Sequence, residues 1–351
     1  MRILFTACPM VGHVNTILPL ALAAQRAGHA VVLATGVDQA RRVERAGLTA
    51  WSVGPTFEEA GWPPRSPLDF LAPADKRVVD LLPRAERFAP DVVVHEETEA
   101  AGAVVAARTG ARLVRHGLGI AAAGAPEAFA PILDDLGHRW QVTGLSEHVR
   151  NAVHLSICPP SLAVPGAGPA TLLRPALAPA QPGDALPSTL AALPHPTTVH
   201  LTLGTVYSTP EVLATALAGL RELPVNVVVT TAGDPLPPQP ENVLVTRYLP
   251  HALLLPRCDL VVSQGGAGIL LGALANGLPQ LVLPQAADQP ANAAAVQRAG
   301  AGLALATVTA DAVRRAARRL LADPGYAARA RELGAEIAAM PDADAVVRTL
   351  W

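Results

Sequence analysis

The chain is poor in charge and poorer still in aromatic side chains: Asp, Glu, Lys and Arg make up 16% of its 351 residues, and Phe, Trp and Tyr 3%. A nucleic-acid binder needs a basic face and rings on which bases can stack. Here the net charge is −2, and the dense basic run from Arg314 to Arg319 fits the solvated face of a helix, so no nucleic-acid partner is expected. Cysteine is scarce as well. Cys8, Cys158 and Cys258 are odd in number, far apart and set at or beside apolar strand-like runs, which predicts buried thiols rather than a disulfide or metal set. Between Asp259 and Asp288 charge is missing altogether, a length that raises the question of a membrane span. Gly265, Gly266, Gly268, Gly272, Gly277, Pro279 and Pro284 divide that stretch into strand, turn, helix and strand instead. The amino terminus runs from Met1-Arg2 directly into ILFTA, without the apolar core or cleavage pattern of a signal peptide. A cytoplasmic protein without stable membrane insertion is expected.

Two nucleotide signatures are also missing. The first strand–helix turn has no G-x-G-x-x-G, and no G-x-x-x-x-G-K-[ST] occurs anywhere, which argues against a dinucleotide dehydrogenase and a P-loop NTPase. The D-x-D at Asp342-Ala343-Asp344 precedes a short carboxyl-terminal helix, where capping is the natural use of its first carboxylate. No metal site is therefore assigned. Any leaving-group charge must then be met by helix N-termini and neutral donors.

What is present is an apolar chain, 50% hydrophobic, too long for one core. Apolar runs read as strands near 3–7, 30–35, 91–96, 111–116 and 152–158, with helix-like stretches at 14–27 and 98–109. Prolines from Pro159 to Pro196 interrupt the alternation and argue against regular elements there. A second series follows near 198–203, 225–231, 242–247, 260–263, 280–284 and 302–306, then helices at 309–322, 325–339 and 343–351. The reading is an α/β protein of two doubly wound, Rossmann-like halves with parallel sheets and a ligand cleft between them. Its boundaries fall at 1–175, a Pro-rich linker at 176–197, a second domain at 198–338, and a terminal helix at 339–351 able to pack back on the first.

In open α/β sheets ligands sit at the carboxyl ends of strands, so the turns just after strands matter most. SQGGAGIL, 263–270, follows an apolar strand and opens a helix. Gly265, Gly266 and Gly268 let backbone N–H groups approach an anion at that helix's positive end. GTVYS, 204–208, adds Gly204 and the hydroxyls of Thr205 and Ser208. In CPMVGHVN, 8–15, His13 opens the first helix, whose dipole disfavours imidazolium and leaves a neutral ring fit to take a hydroxyl proton. A capping or core histidine is the plain alternative. Glu96 and Glu97 end a strand at the same edge, where one of them can orient His13. In PQAADQPAN, 284–292, Asp288 and Gln289 suit adjacent sugar hydroxyls, and equally the cap of the following helix.

Together, in this order, these turns resemble the inverting GT-B glycosyltransferases of bacterial natural products, the macrolide, aromatic polyketide and enediyne type, related to glucuronosyl- and glucosyltransferases. GHVN is similar to the family's catalytic-histidine turn and PDVVVHE to the strand ending in its acidic partner, which selects Glu96. LTLGT resembles the donor-side glycine turn. RYLPHALLLPRCDLVVS resembles the base-binding loop, which brings in Tyr248 and Leu249, and DQPANAAAVQRAGAGLAL the sugar-binding segment. The resemblance implies metal-independent transfer of a sugar from a dTDP- or UDP-sugar, a co-substrate and not a cofactor, to a small hydrophobic aglycone. His13 is the base; Gly204, Thr205, Tyr248, Leu249, Gln264, Gly265, Gly266, Gly268, Ile269, Asp288 and Gln289 are the donor-binding positions. Self-association as a homodimer stays open. The chain departs from the family's H-G-G-x-G-T/S at two places, with Gln264 for the histidine and Ile269 for the hydroxyl residue, and it is short between Gly54 and Asp91. Two other readings compete: a non-catalytic nucleotide-sugar-binding or helper protein, and a GT-B enzyme of another reaction such as an epimerase.

Overall fold

The computed structural model describes all residues except Phe57, 62–72, 121–124, 165–167, Pro182, Thr205, Tyr207, Ser208, Ala232, Asp234 and Pro235, and except the side chains of 125–127. The chain divides into two compact units. The first comprises Met1–Cys158, Ala163–Ala176 and Met340–Trp351, the second Pro159–Leu162 and Leu177–Ala339.

Short runs rich in Val and Leu form the strands because their side chains fill both faces of a covered parallel sheet. In the first unit they are β1 (Arg2–Thr6), β2 (Ala30–Thr35), β3 (Thr49–Ser52), β4 (Val92–Glu96), β5 (Arg112–His116), β6 (Val153–Ser156) and β7 (Thr171–Leu172). All pair in parallel, in the order β3-β2-β1-β4-β5-β6-β7. Leu4, Val93 and Leu113 pack on Val78, Leu81, Val104 and Leu145 from the covering helices. The terminal helix Ala343–Leu350 belongs to this unit, with Val346 and Val347 buried.

The second unit contains β8 (Thr198–Thr202), β9 (Asn226–Thr230), β10 (Val243–Thr246), β11 (Leu260–Ser263), β12 (Gln280–Val282) and β13 (Gly302–Ala304). They are parallel in the order β10-β9-β8-β11-β12-β13. Val199, Leu201, Val229 and Val262 face Leu213, Leu217, Val313 and Leu320; on the opposite face Val228 and Val261 meet Leu254, Ile269 and Ala273. The uncharged stretch after Asp259 becomes β11, the helix Ala267–Ala275 and β12, and no described helix is long and apolar enough to cross a membrane.

Both sheets are doubly wound, and in each the strand order reverses between two central strands. In the first the switch lies between β1 and β4, with Thr6 beside His95; in the second it lies between β8 and β11, with Thr202 beside Ser263. Such switch points leave a crevice at the strands' carboxyl ends. The turns carrying His13 and Glu96 flank the first crevice, and those carrying Gly204 and Gln264 flank the second. Several elements differ from expectation, among them the helices Val37–Arg45, Ala74–Phe88 and Leu145–Asn151, which lie outside the expected helix-like stretches. β3 was not anticipated because TAWS is a part-exposed edge segment without an apolar run. The proline-rich stretch, expected to be irregular throughout, contains β7 and short 3₁₀ turns at Pro160–Leu162 and Ser188–Ala192, which need few residues and tolerate flanking prolines.

Candidate functional site

In the first unit His13 lies in the opening turn of the helix Val11–Arg26 and Glu96 is the last residue of β4. His13 Nδ1 donates to Glu96 Oε2 at 2.8 Å, the imidazole 15% exposed and the carboxylate fully buried. Glu96 is held on every side. Cys8 N donates to Oε2 at 3.2 Å, Thr98 N to Oε1 at 2.6 Å, and the Thr98 hydroxyl also to Oε1. Four donors saturate the two oxygens and fix the carboxylate's plane. Glu97, its neighbour, instead accepts from Leu118 N at 2.9 Å, and burial raises its pKa. The structure thus selects Glu96 over Glu97 as the partner of His13.

The charge state expected for His13 is corrected. Burial lowers its proton affinity, but the Glu96 carboxylate and Cys8 outweigh burial and push its pKa up to about 10. Glu96 is resisted by burial yet held down to about 2 by His13 and Thr98. A carboxylate in hydrogen-bond contact outweighs a helix dipole, which acts on the ring only as a partial charge. Cys8, His13 and Glu96 also place ligand-type atoms within 4.8 Å of one another, the one such group among the described residues. The Thr98 hydroxyl sits among them, 3.7 Å from Cys8 Sγ and 3.3 Å from His13 Nδ1. Hydrogen bonds already account for this cluster. Asp342 of the D-x-D accepts from Ala345 N at 2.8 Å as a helix cap, and Asp344 pairs with Arg26 at 2.8 Å.

In the second unit three segments converge. Gly204, after β8, has φ +75, and a Cβ there would lie 2.3 Å from Gln264 Nε2; one on Gly266 would lie 2.9 Å from the same atom. The Gln264 side chain therefore spans the two glycine turns. It is 9% exposed, and its Oε1 has no hydrogen-bond partner among the described residues. Gly265, at φ +85, presses on Val282, whose Cγ1 would be 2.5 Å from a Cβ. Gly266 caps the helix Ala267–Ala275, and Gly268 is exposed with open space around it. Ile269 does not face this turn. Its side chain is buried with Leu249, Leu254 and Cys258, so both Ile269 and Leu249 offer a ligand only backbone. Tyr248 is 52% exposed, as a stacking ring requires. Thr205 and Ser208 lie outside the described residues.

Asp288 and Gln289 open the helix Gln289–Arg298. Gln289 Oε1 accepts from Gln285 N at 2.7 Å and Ala286 N at 3.0 Å, so its carbonyl end shapes the loop. That hold accompanies a left-handed φ of 55 at Ala287, an uncommon conformation for a residue with a Cβ. Thr209 Oγ1 donates to Gln285 Oε1 at 3.2 Å and ties this loop to the segment after β8. The sequence reading missed Thr98, Asn292 and His200. Asn292 bonds both Asp288 and Gly265. His200 Nδ1 donates to Val228 O at 3.0 Å, so its Nε2 accepts from His251 Nε2 at 3.4 Å, at the start of the helix His251–Leu254. Two signals were available: the polar residue inside the apolar run TVHLT, and an Asn in the helix just after Asp288-Gln289.

Residues 214–351 match the family described as erythromycin biosynthesis protein CIII-like, C-terminal domain. The elloramycin glycosyltransferase of Streptomyces olivaceus is 34% identical, over 97% of this chain and 94% of that protein. The L-demethylnoviosyl transferase of Streptomyces niveus is 33% identical, over 97% and 95%. Among solved structures, a spinosyn rhamnosyltransferase complexed with thymidine diphosphate superposes with a TM-score of 0.85 at 28% identity, over 100% of both chains. Shared sequence over nearly full lengths, on a shared pair of Rossmann-like sheets, places this enzyme by descent: the chain belongs to the GT-B glycosyltransferases of bacterial natural-product biosynthesis.

Proposed function

We propose that the chain catalyses inverting, metal-independent transfer of a sugar from a dTDP- or UDP-sugar to a hydrophobic aglycone, with His13 as general base. The observation that carries the reading is the 2.8 Å bond from His13 Nδ1 to a buried, fully hydrogen-bonded Glu96 at a topological switch point. With Nδ1–H committed to Glu96, the neutral ring accepts through Nε2. The acceptor's O–H proton passes to Nε2 as its oxygen bonds the anomeric carbon. The bond from that carbon to the β-phosphate oxygen breaks, and the nucleoside diphosphate leaves. On the donor side, Gly266 and Gly268 present backbone N–H groups with Gln264, while Gly204 and Gly265, whose own N–H groups bond Thr202 Oγ1 at 3.3 Å and Ser263 Oγ at 3.1 Å, let the chain approach closely without a Cβ; Tyr248 stacks on the base, and Asp288 with Gln289 meets the sugar hydroxyls. Acceptor binding is assigned to residues 1–175 and donor binding to 198–338, joined by 176–197.

The relatives support the substrate classes. One spinosyn rhamnosyltransferase structure holds thymidine diphosphate and another the spinosyn aglycone. Mass spectrometry of reactions with dTDP-sugars and polyketide aglycones tests the reading: a glycosylated product with inverted anomeric configuration is expected. Nucleotide binding without any transfer to a panel of aglycones favours the helper-protein reading instead.

A further inference from the structure

We infer that Asn292 is a positioning residue that aims the Gly266 N–H at the donor's diphosphate and couples that subsite to Asp288; the inference rests on the donor reading above. Asn292 is completely buried on the helix Gln289–Arg298, outside the glycine turn. Its Nδ2 donates to Gly265 O at 2.9 Å and to Asp288 Oδ2 at 2.8 Å, using both amide hydrogens. The carbonyl of Gly265 and the N–H of Gly266 belong to one trans peptide unit, so they point in opposite directions. Anchoring that carbonyl inward on Asn292 turns the Gly266 N–H outward, at the N-cap of the helix Ala267–Ala275. Among the described residues this N–H has no hydrogen-bond partner.

A side-chain anchor is needed because the backbone alone does not settle this peptide. Gly265 and Gly266 are adjacent glycines, and a pair without Cβ atoms can rotate the plane between them at little steric cost. Flipped, the unit would present its carbonyl oxygen to the phosphates, exchanging attraction for repulsion. Val282 stops a side chain at Gly265 but does not bond the carbonyl. Asn292 does. The same amide steadies Asp288, so the phosphate and sugar subsites share one buried residue, and its Oδ1 is left without a partner among the described residues. A buried acceptor kept unsatisfied marks a position chosen for its donors.

The test compares dTDP with thymidine, which lacks the phosphates, on the full-length protein by calorimetry and ligand-observed NMR. Asn292→Leu, of similar size, is expected to weaken dTDP about tenfold or more while thymidine binding stays within about twofold. Asn292→Asp keeps the shape and removes the donors when ionised; its dTDP affinity should recover as pH falls and the introduced acid regains one O–H, whereas wild type shows no such gain. The pH-dependent rescue separates positioning from a packing defect. Unchanged dTDP affinity in both variants, or equal losses for dTDP and thymidine with no acid rescue, overturns the inference while leaving donor binding intact. A wild type that binds no dTDP overturns the donor reading and this inference with it.

Discussion

Opposed forces set the proton affinity of His13: burial lowers it, while the Glu96 carboxylate and a hydrogen bond with Cys8 raise it to about 10. At neutral pH the pair therefore rests as imidazolium and carboxylate, and a base must first be neutral. The expected consequence is a kcat/KM that climbs with pH from neutrality toward about 10 as the pair loses its proton. Glu96→Gln leaves burial opposed only weakly, so the rising limb should move to lower pH while the maximal rate falls roughly 10- to 1,000-fold. An unmoved limb would show that another group titrates. His13→Ala should lose about 100-fold or more in kcat with dTDP affinity retained, and Glu97→Gln should be near silent. The same shifts bear on stability. The raised His13 contributes fully below its ordinary 6.5 and its contribution is lost as pH rises through about 10. The depressed Glu96 contributes above its ordinary 4.5 and its contribution is lost as pH falls through about 2. Melting curves of wild type and His13→Ala should accordingly converge at strongly alkaline pH.

At the scale of elements, the turn after β11 and its helix make a separable prediction about the two departures from the family motif. Gln264 fills the space between Gly204 and Gly266, so Gln264→His keeps a donor there and should tighten dTDP by up to about tenfold. Ile269→Thr should do the opposite of restoring a site: with the side chain in the core, it is expected to cost about 1–3 kcal/mol of stability and gain no affinity. Gly266→Val drives a side chain onto Gln264 and should abolish dTDP binding with the fold intact. A dTDP gain from Ile269→Thr would put that side chain in the site after all. Composition could not decide this, because Ile269 reads the same in a motif as in a helix core. The strands and helices were legible for a simple reason: a covered parallel sheet demands apolar runs such as VVLA and LVVS, and these stand out between helical segments. The turns that the proposed function assigns to the site were legible as positions after strands. What was not legible is hydrogen bonding across sequence: Cys8 N donating to Glu96, and Asn292 reaching back to Gly265, join residues whose pairing no local pattern announces.

The whole molecule adds the path of the chain, which begins and ends in the same unit. Its D-x-D serves as a cap and an ion pair, so saturating EDTA is expected to leave turnover unchanged; activity recovered only by Mg²⁺ or Mn²⁺ would refute the metal-independent reading. The returning segment has its own consequence, because the helix Ala343–Leu350 lies beside the helix that carries His13. Trp351 meets the Phe5 and His29 rings edge-on, each at 6.2 Å, and Arg112 donates to Leu350 O at 2.8 Å. The Arg26–Asp344 pair is about half exposed and adds little, on the order of 0–1 kcal/mol. Burial of Val346 and Val347, with the partly buried Trp351 packed beside them, is the larger effect, at about 1.5–3 kcal/mol for a fully buried apolar side chain. Deleting residues 343–351 should therefore lower the stability of the first unit by several kcal/mol, a sizeable part of the about 5–15 kcal/mol typical of a domain. It should also speed hydrogen exchange in Val11–Arg26 and suppress transfer, while dTDP binding by the second unit persists. Arg26→Ala should do almost none of this. If the deletion left exchange in that helix unchanged and transfer intact, the terminal helix would be a passenger; if it abolished dTDP binding as well, the two units would not be energetically separable.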